Sequence, residues 1–465
     1  MKNHIIPIAA SFSLLLAGSL SLQAAENSRI LDLEMVVRAA QANDPWLAGN
    51  KHSQDATEAM SVAAGSLPDP KVSIGLANLA TNSFNFGQEA MTQAKVGISQ
   101  MFPAGDTLDL RKRQLELKSG QFPYQRQDRR AKIAVTVGQL WLDAYKARES
   151  SAIIEKNRAL FEQLTDVAQS SYSTALGKSR QQDVIRAQLE LTRLDDRLTI
   201  LHQRQEMFQQ RLSEWLNGYF LNYYATSQSG DFSEPSPDFS LVRKLPDISL
   251  LYRHLYTSSS STEPAVLFEK MSGHPAVQAI EQKIRASKAG IDLAKQKYKP
   301  EWGINAGYGY RADDPMGRNR SDLFSVGVTF SVPLFTAKRQ DKQVQSARSR
   351  TSAVKTEKWQ LLRKFMAGFE ATKAQLLRLN ERQNLYEVQL LPQMHEQAEA
   401  SLTAYTNDDG DFSEVMRARI AEMNAEIDAL SINVDRQKAI LQLNYFFMTD
   451  TDEIIAGTRH AGDIK

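Results

Sequence analysis

Three kinds of hydrophobic spacing occur along this chain, and each predicts a different element. The first has period two. Val72, Ile74 and Leu76 alternate with Ser73, Gly75 and Ala77, and a second such run covers Val96 to Phe102. Trp302, Ile304, Ala306, Tyr308 and Tyr310 face one way, while Gly303, Asn305, Gly307 and Gly309 face the other. Phe324, Val326, Val328, Phe330 and Val332 alternate with Ser325, Gly327, Thr329 and Ser331. This pattern predicts four β-strands, the later two clearest, with large apolar groups on one face and small or polar ones on the other. The second spacing is helical. Leu33, Val36, Val37 and Ala40 mark one side of a helix over about residues 31–66, broken by Ser66-Leu67-Pro68-Asp69-Pro70. Two much longer stretches follow Pro103 and Pro333, over about residues 106–172 and 337–405. At 1.5 Å per residue each would span roughly 100 Å. Leu140, Tyr145, Ile153, Leu160, Leu164 and Val167 keep one seam apolar, and Arg, Lys, Glu and Gln fill the rest. Shorter segments, about 31–66 and 180–217, could stack end to end beside a long helix, giving coiled-coil-like hairpins.

The third pattern is a run of apolar and small residues from Ile5 to Leu22, with Leu14-Leu15-Leu16 at its centre, preceded by Lys2 and followed by Gln23-Ala24-Ala25, which offers a small residue at the cleavage point. That order predicts a cleaved signal peptide over residues 1–25. An N-terminal membrane anchor is the alternative. The run is short for one, and polar Glu26-Asn27-Ser28-Arg29 follows at once.

The sequence also repeats itself. Asp44-Pro45 is echoed by His274-Pro275, Pro70 by Pro300, and Gly97 to Pro103 by Gly327 to Pro333, each 230 positions apart. Tyr172-x4-Gly177 recurs as Tyr405-x4-Gly410, and Asp183 to Ala187 as Glu414 to Ala418. The consistent order predicts a tandem duplication of one unit: helix, strand, loop, strand, long helix, turn, helix. The expected organisation is a leader over 1–25, a first repeat over 26–218, a linker over 219–262, a second repeat over 263–447 and a tail over 448–465. The linker is rich in Tyr, Ser and Pro and is expected as a belt around the helices.

Composition narrows the class. The chain has 465 residues, 42% hydrophobic and 24% charged, with a net charge of +2, so nothing in its charge argues for a nucleic-acid partner. It has no cysteine, which removes disulfides, thiolate metal sites and acylation of an N-terminal cysteine. No later stretch approaches 18 consecutive apolar residues, so the mature chain could meet a membrane only through strands. Strands with one bulky apolar face and one small polar face suit a barrel between lipid and water. A soluble sandwich is the alternative, but two hairpins in a helical chain make a poor one. Four strands cannot close around water, so copies must complete the sheet; three would give 12 strands.

Chemistry is sparse. His4, His52, His202, His254, His274, His395 and His460 include no pair at helical metal-binding spacing. Met416 and Met423 lie seven apart, as coiled-coil core residues do. No phosphate loop and no nucleophile–base–metal constellation occurs, so neither enzymatic activity nor a cofactor is expected.

The leader, the tandem repeat, the paired strands and the two Tyr-x4-Gly tips together resemble the TolC-type outer-membrane efflux family. The resemblance covers essentially the whole mature chain. It implies a mainly α fold with a membrane β-barrel: four strands per protomer, a trimeric 12-stranded barrel in the outer membrane, and an α-helical barrel through the periplasm. It also implies a passive duct receiving substrate from an inner-membrane pump of the RND type through a periplasmic adaptor. Leu67-Pro68-Asp69-Pro70-Lys71, Gly75 to Leu79, Met91-Thr92 and Gly97 to Pro103 resemble the heavy-metal branch, implying cation cargo. Members of related branches are often lipidated on an N-terminal cysteine, which is missing here. A duct for drugs or for type I protein secretion is the alternative. A periplasmic adaptor or scaffold is remoter, because no lipoyl-like β segments occur between the helical arms.

The resemblance also assigns the tips. Asn407 to Glu414 falls where the family closes its periplasmic end, making Asp408, Asp409, Asp411 and Glu414 gate candidates. Rings of carboxylates favour cations. The alternative is a turn with a helix cap at Asp411 or Ser413. Glu414 matches the family's acidic gate position, whereas Arg417 stands where other members carry a second acid. At the other tip, Leu176, Gly177, Lys178 and Ser179, together with Gly410, match the adaptor contact. Gly177 would equally serve as a helix C-cap.

Overall fold

The computed structural model describes residues 29–173, 180–216, 239–256, 262–407 and 409–448. The expected leader, tip residues 174–179, Asp408, most of the linker and the tail beyond 448 lie outside the described residues.

The first helical segment is two helices, α1 (Leu33–Asn43) and α2 (Pro45–Ala64), where the periodicity predicts one. Pro45 has no N–H and disfavours a helical Asp44, so the helix stops and restarts. Asp44 then caps α2, its Oδ1 accepting from Trp46 N at 3.2 Å. The chain runs through β2 (Lys71–Ala77), β3 (Gln93–Phe102), α3 (Thr107–Ser119), α4 (Gln121–Ser173) and α5 (Gln181–Leu216). A short β1 (Arg29–Leu31) pairs in parallel with β4 (Phe239–Leu241), which the sequence pattern does not announce. In the second half, α6 (Pro264–Ser272) and α7 (Pro275–Gln296) break at His274-Pro275 as α1 and α2 do at Asp44-Pro45. His274 Nδ1 accepts from Ala276 N at 3.1 Å, the same capping role 230 positions later. β5 (Trp302–Tyr310) and β6 (Leu323–Phe330) lead to α8 (Gln340–Leu385). A π-turn, Tyr386–Leu390, carries α8 into α9 (Leu391–Thr406), and α10 (Phe412–Phe447) returns. Pro392 would strike the carbonyl of Val388, and the wider turn accommodates it.

With 53 residues, α4 is about 80 Å long. The segments α1–α2 and α5 stack end to end along α3 and α4, joined where Asn43 Nδ2 donates to the Leu216 carbonyl at 2.9 Å. The seam of α4 follows Leu140, Ala147, Ile154, Phe161 and Ala168, all buried at sevenfold spacing. Val167, predicted in that seam, is 50% exposed because the sevenfold row runs through its neighbour Ala168. Near the tips α10 lies over α4 and α5, and Ile154, Phe161, Leu164, Leu194, Phe412, Val415, Met416 and Met423 form one core. A larger core further up holds Trp141, Phe365, Phe369 and Phe447.

The sheet is antiparallel throughout, in the order β2-β3-β5-β6. Its register aligns the two faces across all four strands. Val72, Ile98, Ala306 and Val326 form one row, and Ile74, Val96, Tyr308 and Phe324 the next. Between them runs Ser73, Gly97, Gly307 and Ser325 on the opposite face. Among the described residues the strands of this sheet pack substantially only on one another. The apolar face is therefore bare, with Ile74 82% and Phe324 73% exposed. No helix among the described residues is long and apolar enough to cross a membrane.

Candidate functional site

The α9–α10 tip is built by local backbone chemistry. Asn407 N donates to Thr403 O at 3.0 Å and Asp409 N to Ala404 O at 2.9 Å, closing α9. Gly410 follows because a Cβ there would lie 2.7 Å from Tyr405 N and 2.9 Å from Ala404 C, both backbone atoms. Asp411 caps α10, its Oδ1 accepting from Ser413 N at 3.1 Å. The Tyr405 and Phe412 rings meet edge to face at 5.6 Å and pin the turn to the core. The Ser413 N–H, with smaller help from its hydroxyl and from Arg180 and Arg186, holds the Asp411 carboxyl below its usual range. Asp411, one of the expected gate residues, thus serves as the cap of α10.

Asp409, Asp411 and Glu414 are exposed at this tip, and Asp408 lies outside the described residues. Arg417 is exposed beside them and bonds the Ser413 carbonyl at 3.2 Å. Among the described residues no three His, Asp or Glu side chains of one chain converge on a metal-sized space. Leu176, Gly177, Lys178 and Ser179 lie outside the described residues; Gly410 is half-buried by its turn.

Two turns above the tip lies a cluster that motif reasoning misses. Arg419 is 6% exposed in the apolar seam of α10 and bonds Glu399 on α9 at 2.6 Å and Glu422 at 2.8 Å. His395 Nδ1 sits 2.6 Å from Glu422. Burial works against the Arg419 charge, yet the two carboxylates outweigh it and raise its pKa. The Arg419 bond holds the Glu399 carboxyl below its usual range. The available signal was position: Arg419 stands three residues after Met416 and four before Met423, both core.

The other candidate surface is the sheet. Phe102 and Trp302 stack at 4.2 Å at its helix-side end. At the far end Arg311 Nε bonds the Ser321 carbonyl at 2.8 Å, and Arg320 reaches the Gly87 and Glu89 carbonyls at 3.2 and 3.3 Å. The Arg311 Nε bond closes the β5–β6 loop on itself, and the Arg320 bonds clasp it to the β2–β3 loop.

No protein-family model matches the sequence, and no curated protein matches it. Solved structures do. The structure is similar to the CmeC outer-membrane channel of Campylobacter jejuni, with a TM-score of 0.69 at 14% identity over 98% of this chain and 97% of that one. CusC, described as forming a transmembrane channel, gives 0.68 at 15% identity, over 92% and 95%. The outer membrane protein VceC of Vibrio cholerae gives 0.67 at 13% identity, over 90% and 96%. This chain has the fold of these outer-membrane channels.

Proposed function

We propose that three copies of this chain form a passive efflux duct through the outer membrane and periplasm. The observation that carries the reading is the bare, four-stranded apolar face, joined to helices about 80–100 Å long. A sheet with lipid-suited side chains on one face and serine and glycine on the other matches a barrel wall around water. Its edges, β2 and β6, have no partner strand among the described residues, and an open edge is not tolerated in a bilayer. The fold shared with CmeC, CusC and VceC supports the same reading. The partners are a periplasmic adaptor, meeting residues 176–179 and Gly410, and an inner-membrane RND-type pump. The cargo is heavy-metal cations, on the strength of the strand motifs and of Asp408, Asp409, Asp411 and Glu414 at the tip. Because Asp411 is engaged as a cap, the exposed Asp409 and Glu414 are freer to face a cation.

Membrane fractionation tests the duct. The protein is expected in the outer membrane as a heat-labile three-copy complex, and a soluble periplasmic monomer would overturn the reading. A deletion strain tests the cargo. Copper, silver, zinc or cobalt should become more toxic; sensitivity to dyes and detergents alone would remove the metal assignment.

A further inference from the structure

Toward the tip, α4, α5 and α10 close on one another. Ala187 and Leu194 of α5 share a core with Phe161 of α4 and with Met416 and Met423 of α10. The closure ends where Arg197 of α5 donates to Asn424 Oδ1 of α10 at 2.9 Å. Beyond that bond α10 stays on α4 but parts from α5, with Lys146 bonding the Ser431 hydroxyl and Lys438 bonding Asp143. The gap between α5 and α10 is a cavity of about 460 Å³, a size ordinary for small-molecule sites.

The floor of this groove is apolar, with Ala147 and Ile154 on α4, Leu201 and Phe208 on α5, and Ile427 on α10. Its polar part is cationic, with Lys146, Arg197 and Arg204. Lys146 and Arg197 bond a hydroxyl and an amide, and neither makes an ion pair among the described residues. Arg204 is exposed and has neither a hydrogen bond nor an ion pair among them. Asp143, the sole acid among the described lining residues, is already paired with Lys438. A cation is repelled from such a groove, and a wholly apolar guest would leave the charged groups unsatisfied.

We propose that this groove binds an amphipathic organic anion, a carboxylate or sulfonate with an apolar body. The body lies along Ile154, Leu201 and Phe208, and the head meets Arg204, Arg197 and Lys146. Such a ligand is distinct from the proposed metal cargo. The linker crosses α4 elsewhere, the Tyr145 hydroxyl reaching the Arg243 carbonyl at 3.3 Å and Arg148 the Val242 carbonyl at 2.9 Å. At about 100° per residue, those side chains leave α4 on the far side from Asp143, Ala147 and Ser150. In a duct with this linker outside, the groove therefore opens on the channel wall. That placement rests on the duct reading; the groove itself lies within one chain.

The chain has no cysteine, so an introduced one reports alone. Met207 lines the groove and is 46% exposed, which suits it as the reporter position. In cell envelopes holding the full-length Met207→Cys variant, dodecanoate should slow maleimide labelling severalfold. Dodecyltrimethylammonium, with the same tail and the opposite charge, should not. Glu206→Cys, exposed beside it but outside the groove, should respond to neither. Adding Arg204→Glu to Met207→Cys should raise the dodecanoate concentration for half protection about tenfold, as loss of one charge-assisted bond does, and Arg204→Lys should keep most of the affinity. Equal protection by both amphiphiles, or none by dodecanoate, would overturn the proposal. So would labelling of Met207→Cys only after the complex is dissociated, since a second copy would then fill the groove. A monomeric protein that still shows charge-selective protection would remove the duct and keep the site.

Discussion

His274 is a buried imidazole at a helix cap, between the rings of Phe365 and Tyr445 at 4.7 and 4.9 Å. Burial pushes its pKa from 6.5 to about 4, with Asp128 and the Tyr445 backbone opposing and Lys132 assisting. The folded protein resists the proton that the unfolded chain accepts. Stability is therefore intact above about 6.5, declines as pH falls, and this contribution is gone by about 4. The loss is on the order of 3 kcal/mol. His274→Asn keeps an acceptor for Ala276 N without titrating, so its melting temperature in detergent should fall less between those pH values. Parallel profiles would contradict this. Arg419 makes the converse case. Arg419→Ala leaves Glu422 largely enclosed without its cation and should destabilise the tip by about 3 kcal/mol, whereas replacing the pair, Arg419→Met with Glu422→Leu, should recover much of that. Hydrogen exchange along α9 and α10 would localise the loss, and exchange changing equally in the sheet would refute it. Neither residue was legible as it stands. In the sequence His274 is one of seven histidines without a metal-binding partner, and its ring environment comes from Phe365 and Tyr445, far away in sequence. Arg419 belongs to no motif, and its partner Glu399 lies 20 positions away on α9.

Among the elements, the strands and long helices are legible because their signals are periodic and local. Val72, Ile74 and Leu76 lie on β2, and the clearer run from Trp302 lies on β5 with nearly the expected ends. Proline decides where helices break, at Pro45 and Pro275, and this too is local chemistry. The exact seam of α4 is not, since Val167 and Ala168 differ by one position and only the docking of α5 and α10 selects between them. At the tip, the Tyr-x4-Gly spacing marks a turn, and the close backbone approach explains the glycine. Gly410→Val places methyl groups against Tyr405 N and Ala404 C, which cannot yield as a flexible side chain could. The expected result is a repacked turn, faster limited proteolysis between Thr406 and Phe412, and a loss of about 1–3 kcal/mol. Unaltered cleavage would show that the turn adapts.

For the whole molecule, the two faces of the sheet should differ in their tolerance of charge. Val328 lies on the bare apolar face and Thr329 on the opposite one. Val328→Lys should cost about 2–4 kcal/mol near a bilayer midplane and deplete the protein from outer membranes. Thr329→Lys should assemble normally. Equal depletion by both would place the sheet outside lipid.

The alternation, the helical spacing, the 230-residue repeat and the proline breaks were determined by the sequence itself, because each depends on neighbours a few residues apart or on direct comparison of two segments. Tertiary structure decided which faces meet. Lys146 reaches Ser431 and Lys438 reaches Asp143 across 285 and 295 positions, and no local pattern encodes such pairs. It also decided that Asp411 caps α10, that Arg419 lies inside the hairpin, and that the apolar face of the sheet stays uncovered by the described helices. The physical reason is that periodicity reports how one segment divides between apolar and polar sides, whereas burial depends on what the rest of the fold brings against it.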